Sequence, residues 1–148
     1  MKKATLIIIG LIYVASIVIV SMFGLNAIVY KKNIPVLSIE CVNETIGQVY
    51  VDDSKEKKVI RIAFTEPGDL ESLTGTILQL EFRVLPDDAS DKSVRYVYAR
   101  EKYPHVKFHQ IDGVETGAIV FEKPAMFTLT IIANDNSGAS TEVLISCR

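Results

Sequence analysis

Three aspartates stand close together in the stretch Val84–Val94, VLPDDASDKSV. Asp87, Asp88 and Asp91 offer the hard oxygen ligands that Ca²⁺ takes. Their order is not the Asp-x-Asp-x-Asp-Gly of a calcium loop. Pro86 sets a turn φ ahead of them, and Asp side chains accept from turn amides. The stretch therefore reads as a turn between two strands, and no metal is expected on it.

His105 and His109 raise the question of zinc. On a strand, four residues separate them by roughly 13 Å, too far to share one ion. A helix would bring them together, but Pro104 and the alternation of Val106 and Phe108 favour a strand. Nucleophilic catalysis finds no G-x-S-x-G motif, and phosphate binding finds no glycine-rich loop. Whether either histidine meets a Ser or Cys is not readable from the order of residues. The expectation is a protein that is not an enzyme and has no cofactor.

The elements that must position these residues have a period of two. Leu78, Leu80, Phe82 and Val84 alternate with polar residues. The same spacing of two links Ile60, Ile62 and Phe64; Val94, Tyr96 and Tyr98; Phe127, Leu129, Ile131 and Ala133; and Val143, Ile145 and Cys147. Shorter candidates are residues 37–42, 48–51, 106–108 and 118–121. Turn signals fall between the runs: Glu66-Pro67-Gly68, Pro86-Asp87-Asp88, Tyr103-Pro104, Asp112-Gly113, Lys123-Pro124 and Asn136-Ser137-Gly138. Residues 124–147 read as a final hairpin. Short strands with one apolar face each predict two packed antiparallel sheets, a β-sandwich. Residues 52–58, DDSKEKK, read as a solvated loop.

The N-terminus is different. Ala4 to Tyr30 carries no Asp, Glu, Lys or Arg. As a helix, 27 residues reach roughly 40 Å, enough to cross a bilayer with tilt. Lys2 and Lys3 form a small basic n-region, and Leu25-Asn26-Ala27 is a passable cleavage site. Signal h-regions run about 7–15 residues, shorter than this one. An uncleaved signal anchor is therefore expected over a cleaved signal peptide. Lys2 and Lys3 face Lys31 and Lys32 across the span, so the positive-inside count is near a tie, with a modest preference for N-in. All 18 acids, and all but two of the 16 basic residues, lie beyond Tyr30, which leaves that part a formal charge of −4. This excludes a basic face for nucleic acid.

From about Val59 to Cys147 the chain resembles the bacterial Ig-like group 2 domains of invasin- and intimin-type surface proteins. LPDDASDKSV, Leu85–Val94, fits that family's hydrophobic-Pro pair, acidic turn, Lys and Val. Leu73-Thr74-Gly75, Leu78-Gln79-Leu80, GAIVFEKPAMFTLTI (Gly117–Ile131) and NDNSGASTEVLISC (Asn134–Cys147) are similar to its later segments. Tyr96 stands where the family usually has Trp, and Ala125 where it has Gly. Residues 99–116 run longer, and residues 36–57 do not match its usual first strand closely. The resemblance implies an Ig-like sandwich, a surface location, and a spacer or adhesive role. It also implies that the first and last strands lie side by side. Cys41 and Cys147 share parity with inward residues there, so either a disulfide or two small buried thiols fits. A disulfide would close a loop of about 100 residues, for roughly 4–5 kcal/mol. A bacterial setting makes the Asn43-Glu44-Thr45 sequon incidental.

The expected protein is single-pass. Residues 1–32 form the signal anchor and residues 33–148 an Ig-like β-sandwich outside the cell membrane. Its partners are the membrane, through residues 4–30, and a protein or envelope polymer. Outward-facing Val97 and Ile132 hint at a contact patch. The alternatives are a cleaved, secreted adhesin or inhibitor, a small envelope carbohydrate- or metal-binding protein or hydrolase, and a scaffold facing the cytoplasm.

Overall fold

The computed structural model describes residues 2–26, 32–54 and 56–148. The chain divides into two compact units, Met1–Lys32 and Asn33–Arg148. The first contains one helix, α1 (Lys2–Asn26), with side chains described at Thr5 and from Ile7 to Ser21. Its described isoleucines and valines are exposed on every side of the helix, and the Ser16 hydroxyl bonds back to the Ile12 carbonyl at 2.8 Å. No helix among the described residues is long and apolar enough to cross a membrane. The far end of the span expected over residues 4–30, and Ala27 of the passable cleavage site, lie outside the described residues.

The second unit is β throughout. Its strands are β1 (Ser38–Cys41), β2 (Val49–Asp52), β3 (Lys58–Ile62), β4 (Ile77–Gln79), β5 (Phe82–Leu85), β6 (Val94–Val97), β7 (Val106–Ile111), β8 (Val114–Phe121), β9 (Ala125–Ala133) and β10 (Ser140–Cys147). They form three sheets, ordered β1-β5, β2-β3-β10-β9-β6 and β4-β8-β7. Every pair is antiparallel except β3–β10, which runs parallel with Ile60 opposite Ile145. The expected final hairpin is present, with Leu129 opposite Val143. The expected pairing of first and last strands is not. β1 pairs with β5, and β3 takes the place beside β10.

The apolar alternation explains the core. Ile60, Leu129, Ile131, Val143 and Ile145 are fully buried from the five-stranded sheet. They share one cluster with Leu78, Phe108, Ile119 and Phe121 of the three-stranded sheet and Ile39 and Val84 of the two-stranded one. Burying a Val, Leu, Ile or Phe side chain contributes about 1.5–3 kcal/mol.

The run expected as one strand from Leu78 to Val84 is interrupted at Leu80–Glu81. The Leu80 amide still bonds to the Gly117 carbonyl at 2.9 Å on the β8 side, and the Glu81 carbonyl accepts from Val42 at 2.9 Å on the β1 side. One bent run thus joins two sheets. Asn43, only 7% exposed, spans the bend. Its amide donates to the Gln79 carbonyl and its oxygen accepts from the Glu81 amide, both at 2.8 Å. The sequon asparagine is therefore a structural bridge, with its nitrogen turned inward to a carbonyl. Asn43→Ala leaves two backbone groups unsatisfied. It should destabilise the fold by about 1–3 kcal/mol in denaturant titration, with the strand signal of the native state retained. A midpoint equal to that of the unaltered protein would remove Asn43 from this role.

Candidate functional site

β6 and β7 are the outer strands of their sheets. The alternation of Val94, Tyr96 and Tyr98 sends two phenol rings off β6, and that of Val106 and Phe108 sends one ring off β7. Tyr96 stacks on Phe108 with centroids 5.1 Å apart, and Phe82 meets Tyr96 edge-on at 6.2 Å. Tyr98 packs between Phe108 at 5.4 Å and Phe127 at 5.3 Å. Such ring pairs each add about 0.5–1.5 kcal/mol beyond area burial. The Tyr98 hydroxyl donates to the Val106 carbonyl at 2.9 Å, fastening the loop side of β6 to β7.

Outside this aromatic seam lies a groove of about 530 Å³ that follows β7 from Val106 to Gln110. Arg100 and Glu115 flank it, with Arg100 Nη2 donating to Glu115 Oε1 at 2.6 Å. The Arg100 guanidinium also lies 5.2 Å from the Tyr98 ring centroid. Lys107, on the same strand, pairs with Glu122. Two ion pairs thus stand at the groove, and Glu71 also lines it. Burial pushes the Tyr96 phenol up to about 12, with the Glu115 charge adding to the shift. Burial raises Tyr98 as well.

Gly117 makes room for this arrangement. Its φ is +81°, and a Cβ there would sit 2.9 Å from the Tyr96 hydroxyl. Asp112 and Gly113, with φ of 52° and 79°, form the tight turn that brings β8 back along β7 and sets Gln110 opposite Glu115. Arg100, Glu115 and Tyr98 were not singled out from the sequence as a group. The Asp112-Gly113 turn was the available signal, since a two-residue hairpin there places Glu115 beside β7.

The residues that were singled out are placed elsewhere. Asp87 accepts from Arg83 Nε at 3.1 Å, and Asp91 accepts the Ser93 amide at 2.9 Å. Asp88 is exposed. The loop is fixed by an Ala89 N–H bond to the Pro86 carbonyl at 3.0 Å and by Ser90, whose amide reaches the Ile34 carbonyl at 2.9 Å. The Leu85–Pro86 peptide is cis. Asp135 joins the same end of the domain, accepting the Val36 amide at 2.6 Å and the Ser137 amide at 3.0 Å. His105 immediately precedes β7, and its buried Nε2 meets no hydrogen-bond partner among the described residues. His109 Nδ1 lies 3.2 Å from the Thr116 hydroxyl. No group of three His, Cys, Asp or Glu among the described residues is placed to hold a metal ion.

Both cysteines are free. Cys41 Sγ lies 3.3 Å from Asn43 Oδ1, to which it donates, and Cys147 is buried between Ala125 and Ile62 on neighbouring strands. Burial raises both thiols. Cys41 is half-buried and Cys147 buried. Val97 is 46% exposed and Ile132 half-buried on the outward parity of β6 and β9.

No protein-family model matches the chain, and no curated protein does either.

Two measurements check the site. The Tyr96 phenol is raised in the folded state, so the folded state holds its proton longer than the unfolded one. The stability it contributes is complete below the ordinary tyrosine pKa of about 10 and is lost as pH climbs towards 12. Tyrosinate absorbance should show a late ionisation towards 12 that Tyr96→Phe removes. Alkylation without reductant should modify two thiols in denaturant and Cys41 before Cys147 in the native state. A mass showing neither thiol modified would restore the disulfide.

Proposed function

We propose that this protein is a membrane-anchored, non-catalytic module that presents an Ig-like β-sandwich outside the membrane for contact with an envelope partner or as a spacer. The observation that carries the reading is the strand order. An Ig-like sandwich sets strands A, B, E and D in one sheet against C, F and G in the other. The run β1, β5 with β4, β8, β7 corresponds to A, B, E and D, and β6, β9, β10 to C, F and G. All seven fall in the same chain order. The β2–β3 hairpin is an addition between A and B that lies parallel to the last strand. The turn at Leu85–Val94 and its family likeness agree with this assignment.

The anchor reading rests on the uncharged sequence from Ala4 to Tyr30 and on the apolar surface of α1. A stable insertion of one span fits a presenting role, since a transmembrane helix holds far more firmly than a single lipid chain.

Fractionation of cells producing the full chain tests the reading. The protein should stay with membranes through alkaline extraction. Ile12→Lys with Ile17→Lys should release it, since a central lysine costs about 2.5–3.5 kcal/mol each on insertion scales. Protease added to intact cells should cut the domain away from the anchor. An N-terminus beginning at Ile28 would establish secretion instead, and protection of the domain in intact cells would place it on the cytoplasmic side.

A further inference from the structure

On four outer strands, some of the backbone groups that point away from the sheet are met by a side chain or strap from another stretch of chain. On β1, Val42 donates inward to the Glu81 carbonyl, so the neighbouring Cys41 carbonyl points outward. Lys58 Nζ donates to it at 2.6 Å. On β2, Ala63 donates to the Gln48 carbonyl, which turns Val49 and Val51 outward. Val49 exchanges both its bonds with Ile46 at 3.0 Å, and the Val51 amide donates to Thr45 Oγ1 at 3.0 Å.

The same pattern holds on the other side. On β6, Asn134 donates to the Ser93 carbonyl, which turns Tyr96 outward, and Arg100 Nη2 reaches its carbonyl at 3.4 Å. On β7, Glu122 donates to the His105 carbonyl, which turns Val106 outward. The Val106 amide donates to the Tyr103 carbonyl at 3.1 Å, and its carbonyl takes the Tyr98 hydroxyl.

We propose that these caps keep copies of this domain from joining edge to edge by strand addition. An uncapped strand edge is a template for another chain. At the exposed Thr45, water would satisfy the outward Val51 amide nearly as well, so that cap adds little to folding stability, whereas Val106 is buried and the Tyr98 cap also contributes to stability. What both change is availability. A second copy must first break a cap before its own strand can pair.

The test uses the full chain in mild detergent, with Thr45→Val and Tyr98→Phe singly and together. Each keeps the shape of the side chain and removes its hydroxyl. All variants share α1, so differences from the unaltered protein report the domain. Sedimentation velocity across a concentration series should show each single variant associating at about tenfold lower concentration than the unaltered protein, and stopping at one pairing. The double variant, with two freed edges per copy, should continue to larger species. Adding Val51→Pro to Thr45→Val removes the outward donor and should restore the original size. An unchanged size distribution in the two single variants, with or without a lower unfolding midpoint, would overturn the proposal. So would larger species that Val51→Pro leaves intact. The singles carry the test should the double variant fail to fold.

Discussion

A bent strand cannot keep its backbone bonds on both sides, and this domain is organised around one such bend. At Leu80–Glu81 the run that began beside β8 turns to lie beside β1. The turn frees the Gln79 carbonyl and the Glu81 amide beside the buried Asn43 side chain. Unmet polar groups there would cost more than most single contacts return. Asn43 meets both, and it can do so because an amide side chain carries one donor and one acceptor. The bridge holds two sheets to a common line, and the shared core from Ile39 to Ile145 forms against that line. The seam at the opposite side, where Tyr96 and Phe108 stack, is possible because β7 and β6 then face each other across the same core.

Much of this is legible in the amino-acid order. Phe127, Leu129, Ile131 and Ala133 bury as their spacing requires, as do Val143, Ile145 and Cys147. The bend in the 77–85 run is not legible. Two residues separate β4 from β5, so side-chain parity is kept across the break, and Leu78, Leu80 and Val84 all remain buried. A period-two pattern records which face a residue takes, not which neighbour its backbone bonds. The parallel partnership of β3 with β10 escapes for the same reason. Its residues alternate as an antiparallel pair would.

The site shows a similar division. The aspartates of Leu85–Val94 were rightly placed in a turn by Pro86 and by their spacing, because turn chemistry is local. Tyr98 and Arg100 follow β6 and Glu115 lies on β8, two separate stretches of chain. Only the hairpin at Asp112-Gly113 and the loop after β6 bring them together. Charged residues near aromatic ones are ordinary on strand surfaces, so nothing in their order marked them. The Asn43-Glu44-Thr45 sequon reads as incidental, and nothing in its order announces the interior bridge that Asn43 forms.

The contact between Gly117 and Tyr96 ties the descent of two positions together. A side chain at 117 would strain a backbone at φ +81° and drive into the phenol 2.9 Å away. Loss of the phenol at 96 would empty the middle of the ring stack while leaving the backbone at 117 as demanding as before. Variation at 96 towards a larger ring therefore has to find its space on the Phe82 and Phe108 sides, because 117 has none to yield. Among descendants of this sequence the glycine should change last, and the ring opposite it should drift only within the volume the glycine leaves.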